Sequence, residues 1–223
     1  MILISNTETC GWGPAIRGMR NPKNSWDRSD SRFWQNAFHS EEPDLGRNDL
    51  ILSTTLAKGG PVHAKYRRMI KVYCDITAPL YWWKEFDTYK VGTNCNSCST
   101  MHTLHKRDLT LADFAHEHLT ECNCNLLTLV IKNINEARRE YIENKDKEAW
   151  WQMIQLLPTS FLQKRTVELN YEVLTNIYHS RFNHKQDEWR EFREWIRTLP
   201  YAEYLIIDPY KLEYDEAHNP KSI

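Results

Sequence analysis

Apolar and other residues partly alternate through residues 69–76, which predicts a β-strand. Residues 1–9 read as another strand. Most of the remaining pattern is helical. Leu127, Val130, Ile131, Ile134 and Ala137 recur at three- and four-residue steps, so one apolar stripe runs along a predicted helix over 126–144. A helix over 145–156 follows, ended by Leu157-Pro158. Trp189, Phe192, Trp195 and Ile196 form the stripe of a last helix over 186–199. Residues 46–58 read as a helix with Asn48 as its cap, Leu50, Ile51 and Leu52 opening its apolar face, and Gly59-Gly60-Pro61 stopping it. Thr110 caps a predicted helix over 111–119, where Asp113 faces the positive end of the helix dipole. Residues 10–31 hold Gly, Pro, Asn and Ser and read as a loop, and the tail from Asp208 reads as a frayed end. Without an internal repeat, a low-complexity segment or a clear linker, one domain is expected over residues 1–223.

Composition narrows the classes. A chain of 223 residues with 41% hydrophobic and 26% charged residues has enough apolar material for a full core and is not a disordered chain. The formal net charge of −1 gives no global field toward a nucleic acid polymer or an anionic lipid surface. No apolar run approaches the roughly 20 residues that span a bilayer, and the N-terminus lacks the basic start and apolar stretch of a secretory signal. The expectation is a cytoplasmic protein with no membrane partner, whose six cysteines are reduced thiols. Nine Trp and eleven Tyr suit flat-ligand binding or large subunit contacts, and equally an aromatic core.

The chemistry concentrates after the 69–76 strand. Ala78-Pro79 opens a short helix crowded with Tyr81, Trp82, Trp83, Phe86 and Tyr89, with Pro79 in the first turn where its missing N–H is harmless. A small, polar loop then leaves the helix, through Gly92, Thr93, Asn94, Cys95, Asn96, Ser97, Cys98 and Ser99. A loop launched from a rigid element is a good place to hold a ligand. This stretch resembles the signature of the flavin-dependent thymidylate synthases: Ala-Pro, an apolar-aromatic helix with a Gln, Arg-His-Arg, seven residues, and Ser. Ala78-Pro79 and Glu85 fall on the Ala-Pro and Gln positions without a gap. Thr88, Tyr89 and Lys90 fall on Arg-His-Arg, Thr93 on the small hydroxyl residue, and Ser99, after one inserted residue, on the final Ser.

Other segments resemble the same family in the correct order, over roughly residues 11–200. Arg17, Arg20 and Ser25 match an early flavin-binding segment; two arginines, a hydroxyl and backbone N–H groups also suit a pyrophosphate. His63 matches a His near the flavin. Leu157-Pro158, then Asn170, Asn176 and Arg181, match a Leu-Pro, an extended run and a helix carrying polar residues toward flavin or nucleotide. Asn170 is independently a good N-cap, and Leu174, Ile177 and Arg181 share one helix face.

The resemblance implies an α/β (α+β) fold, with helices packed on a small sheet, acting as a homotetramer. It implies reductive methylation of dUMP or a related pyrimidine nucleotide, with FAD as cofactor, methylenetetrahydrofolate as carbon donor and NADPH as reductant. The residues it assigns are Arg181 and Ser99 to catalysis and Glu85, Ser99 and Arg181 to substrate. Arg20, Ser25, His63, Thr88, Tyr89, Lys90, Asn96, Asn170 and Asn176 are assigned to the cofactor. The chain departs from the family at its phosphate-gripping arginines. Thr88 stands at one, Thr100 or Met101 at another and Ile154 at a third, so either Lys84, Lys90, Lys106 and Arg107 supply the charge or the substrate differs. A flavin- or nucleotide-binding relative without synthase activity is a second reading.

Two further readings belong to other classes. Cys95-x-x-Cys98 with His102 and His105, or His116, His118, Cys122 and Cys124, has approximate zinc-ligand spacing and would make a zinc-stabilised binding protein. A helical interaction protein would use all its aromatics as core.

Overall fold

The N-terminal strand is β1 (Leu3–Cys10), and it leads into a helix where the composition reads as a loop, α1 (Trp12–Arg20). The computed structural model describes residues 1–36 and 40–218. The chain continues through β2 (Arg32–Gln35), β3 (Glu41–Asp44), α2 (Arg47–Lys58), β4 (Lys71–Pro79) and α3 (Leu80–Phe86). Next come β5 (Asn94–Ser97), α4 (Thr100–Thr103), α5 (Glu121–Asn144) and α6 (Lys147–Gln155). It ends with β6 (Leu162–Asn170), α7 (Tyr171–Ser180), α8 (Asp187–Arg197) and α9 (Lys211–His218). Four strands form one sheet in the order β1-β4-β6-β5, and β2 pairs antiparallel with β3 from Arg32↔Asp44 to Gln35↔Glu41. Mixed helix on a small sheet is the expected fold class.

The chain divides into two compact units. The first comprises residues 1–3, 76–88 and 96–166. Its core is the stripe of α5, where Leu127, Ile131 and Ile134 bury against Leu104, Leu109, Phe114 and Met153 of α6. The aromatics of α3 are core as well: Trp82, Trp83 and Phe86 are buried in mutual contact. The indole N–H of Trp83 donates to the Gln163 carbonyl (2.9 Å), and Arg165 stacks on the Trp83 ring while pairing with Asp87. The first N–H groups of α3 donate to the carbonyls of Phe161 and Thr159, so the bend after Leu157-Pro158 caps this helix.

The second unit comprises residues 4–75, 89–95 and 167–223. Its core joins Trp12 edge-on to Tyr171, and the Tyr171 hydroxyl donates to the Pro200 carbonyl. The stripe of α8 buries Trp189, Phe192 and Ile196, as the spacing predicts; Trp195 stays half-exposed with its indole N–H on Thr7.

Several local readings need correction. Residues 12–20 are helical because Trp12, Ala15, Ile16 and Met19 sit on one face and bury. The cap is remote: the Glu41 carboxylate accepts from the N–H groups of Gly11, Trp12 and Gly13. Likewise α2 begins at Arg47, not at an Asn48 cap, since Asp30 accepts from the N–H groups of Asn48 and Asp49. The helix over 111–119 stops after one 3-10 turn, Leu111–Asp113, closed by a Thr110–Asp113 capping box. Phe114 is then extended, bridging Phe161, and the Ala115 N–H donates to the Ser160 carbonyl. The polar stretch after Lys90 is not loop throughout, because residues 94–97 form the sheet-edge strand β5. The tail from Asp208 carries α9, anchored by buried Leu212; residues 219–223 lie outside the described residues.

Candidate functional site

In the second unit the two matched segments touch. Asn170 ends β6 and caps α7, its side-chain oxygen accepting from the Val173 N–H at 3.0 Å. Leu174 and Ile177 bury along α7, and Arg181 follows at its C-terminal cap. The Arg181 Nε donates to the Tyr89 hydroxyl at 2.8 Å. Its guanidinium carbon lies 4.5 Å from the Trp189 ring centroid and 5.3 Å from that of Tyr89, and those two rings meet edge-on. A cation held against two ring faces gains from their quadrupoles, and its plane is fixed. Lys90 is exposed beside this cluster in sequence. A stacked guanidinium with a planar fork of donors suits carbonyl or phosphate recognition.

The loop behind Lys90 is held by the same cap. The Asn170 amide donates to the Gly92 carbonyl at 3.2 Å, so one side chain fixes both α7 and the loop. Gly92 has φ +80°, and a Cβ there would lie 2.5 Å from the Asn170 amide nitrogen. Asn176 is exposed on α7, and His63 is exposed before a 3-10 turn, Ala64–Arg68.

Arg20 has a different position from an open cofactor loop. It is 3% exposed, its Nε donates to Asp49 at 2.5 Å and its Nη1 to the Ser25 carbonyl at 3.1 Å. Asp49 also accepts from the Ser29 and Ser31 hydroxyls and the N–H groups of Asp30 and Ser31. Burial pushes the Asp49 carboxyl up, but the hydrogen bonds from Ser31, Ser29 and Arg20 outweigh it and hold it below its ordinary value. Arg20 is tied into this buried network and, with exposed Arg17, Trp26 and Phe33, also lines a cavity of about 310 Å³.

In the first unit, Glu85 lies half-buried on α3, and the Thr88 hydroxyl donates back to the Glu85 carbonyl. Ser99 is the N-cap of α4, with its carbonyl accepting from the Thr103 hydroxyl. Asn96 is exposed on β5 and lines a shallow cavity with Lys164 and Thr166. The cysteines are thiols, and among the described residues no group of three or more His, Cys, Asp or Glu is placed to hold a metal ion. Among them too, no helix is long and apolar enough to cross a membrane.

Three participants had no sequence signal strong enough to name them. Trp189 reads as core by spacing, Asp49 carries no reading of its own, and Gly92 is one loop residue among several. Only a Gly between a cation and a hydroxyl residue hints at a close approach.

Of the residues matched to the family's flavin-binding segments, Arg17, His63, Lys90 and Asn176 are exposed in the second unit and Ser25 is half-buried. The fold is that of flavin-dependent thymidylate synthases. Thymidylate synthase X from Helicobacter pylori, solved with FAD and dUMP, superposes with a TM-score of 0.64 at 15% identity, over 93% of this chain and 97% of that one. A second structure of the flavin-dependent enzyme from that organism, also with FAD and dUMP, gives 0.63 at 14% identity over 92% and 96%. No protein-family model matches the chain, and no curated protein matches it.

Proposed function

We propose that the chain is a cytoplasmic, FAD-dependent enzyme of the thymidylate synthase X kind. It methylates dUMP or a related pyrimidine nucleotide reductively, with methylenetetrahydrofolate as carbon donor and NADPH as reductant, as a homotetramer of a single domain. One observation carries the reading: Tyr89 of the first matched segment holds Arg181 of the second. Two stretches 92 residues apart, picked out by one resemblance, meet at a fixed cation.

Bound FAD supplies hydride chemistry that no side chain has. Arg181, stacked and hydrogen-bonded, orients the nucleotide by planar donation. Lys90, Ser25, His63 and Asn176 contribute charge and hydrogen bonds to the cofactor, and Asn170 acts by fixing the loop that carries Lys90. Ser99 and Glu85, which the resemblance assigns to the substrate, are carried by the first unit.

The test is tritium release from labelled dUMP with FAD, NADPH and methylenetetrahydrofolate. Release that is lost in Arg181→Ala supports the reading. Absence of release together with absence of FAD binding overturns it. Thr88, Ile154 and Thr100 or Met101, standing where the resemblance calls for arginine, favour a second reading of binding without synthesis. Binding of FAD and dUMP without tritium release would select it.

A further inference from the structure

The first unit holds a cavity of about 620 Å³, within the range that takes a small organic ligand. Every residue of its lining belongs to that unit. Buried Leu104 and Leu109 form an apolar wall with Phe161, whose ring is fixed edge-on against buried Phe114. The polar wall includes the Thr100 hydroxyl, the Cys98 thiol and the charged side chains of Lys106, Arg107, Asp113 and Lys164.

Three of these four charges are already matched. Arg107 donates to Asp113 at two points. That hydrogen bonding holds the Asp113 carboxyl below its ordinary value in spite of burial, so the two charges cancel. Lys164 has a partner within the protein. Lys106 is exposed, and Asp108, the acid nearest to it in sequence, pairs with Arg138 at 2.8 Å. Among the described residues, none pairs with Lys106. The cavity is left with one uncompensated ammonium beside an apolar wall.

That balance decides the class of ligand. A phosphate dianion would keep an unmatched charge against apolar surface, which is costly. A carboxylate carries one charge and accepts at two oxygens, so the Lys106 ammonium and the Thr100 hydroxyl can both donate to it. The leucines and the Phe161 ring suit an aromatic body on the same molecule.

We propose that this cavity binds a small aromatic monocarboxylate, with Lys106 as the counter-ion of the carboxylate and Thr100 as its second donor. The site draws on no residue of the second unit, so it goes beyond the flavin reading and does not rest on it.

Calorimetric titration of the full chain with phenylacetate and with its neutral counterpart, phenethyl alcohol, tests it in the unaltered protein, in Lys106→Gln and in Lys106→Arg. Lys106 is exposed, so the variants keep the fold, which circular dichroism checks. The expected result is a preference for the acid of about tenfold or more, reduced to near unity in Lys106→Gln and largely kept in Lys106→Arg. Absence of binding by the acid, equal binding of acid and alcohol, or a preference that survives Lys106→Gln overturns the proposal. Thiol labelling reads the location, because exposed Cys98 lines the cavity and exposed Cys122 does not. Saturating phenylacetate should slow labelling of Cys98 and leave Cys122 unchanged; an unchanged rate at Cys98 overturns the placement. An FAD titration run in parallel separates the two ideas. FAD binding without a preference for the acid removes the carboxylate site and leaves the flavin reading standing. A Lys106-dependent preference without FAD binding does the reverse.

Discussion

The Tyr89 hydroxyl accepts a hydrogen bond from Arg181 Nε at 2.8 Å, and the Trp189 ring lies under the same guanidinium. Tyr89 occupies the middle of a degenerate motif, and Arg181 is the arginine retained on the second matched segment. The pairing gives the degenerate position a physical role, since it holds the cation that the proposed substrate needs.

That role predicts a graded pair of variants. Arg181→Ala removes the donor fork and should weaken nucleotide binding by about tenfold to a hundredfold, the loss of one charged hydrogen-bonding group. Tyr89→Phe keeps the stack and removes one hydrogen bond, so it should cost about tenfold or less in the same titration. Equal losses from both would mean that Tyr89 contacts the ligand itself.

Asn170 and Gly92 should behave as a coupled pair. Asn170→Ala removes an N-cap and the bond to the loop, an expected cost of about 1–2 kcal/mol in urea unfolding. Gly92→Ala places a Cβ at φ +80° against the Asn170 amide and should cost about 1–2 kcal/mol from the backbone alone. In the double variant the penalties should sum to less than the two single ones, because the clash partner is gone.

Much of the architecture was legible in the order of residues. The stripe of α5, the burial of Trp189 and Phe192 on α8, and Asn170 as a cap all follow from periodicity and local chemistry. The failures share one cause, which is that the deciding partner is remote. Helix α1 has its stripe in plain view at Trp12, Ala15, Ile16 and Met19, but glycines and Pro14 mask it and its cap is Glu41. The helix expected after Thr110 gives way because Phe114 and Ala115 pair with the 160–161 segment instead. Within the candidate site, Arg181, Lys90 and His63 were visible as residue types. Asp49 as the partner of Arg20 was not, because ion pairing between residues 29 apart leaves no periodic trace.

Asp49 gives a prediction for pH. Its folded-state pKa is depressed, so it contributes stability that is fully present above the unfolded value of about 3.9 and is lost as pH falls through the lower folded value. Acid unfolding of the unaltered protein should include a component below about pH 4 that is missing in Asp49→Asn. Asp49→Ala strands the buried Arg20 guanidinium and should destabilise by about 3–5 kcal/mol at neutral pH. A cost below about 1 kcal/mol, the value of an exposed pair, would contradict the burial of this network.

The thiols should sort by burial. Burial, and then the charge of Asp75, pushes the Cys74 thiol up to about 12, so it should resist a thiol reagent at pH 8 in the folded protein. Exposed Cys98 and Cys122 should react promptly under the same conditions. Rapid labelling of Cys74 would place β4 outside the core.

The flavin reading itself is tested most directly by titrating the purified protein with FAD and following the shift of the flavin absorption bands and the quenching of its fluorescence. Saturable binding, weakened by Lys90→Ala, is the predicted result. Absence of a spectral change at a large excess of FAD would contradict the account, whatever the likeness of the fold.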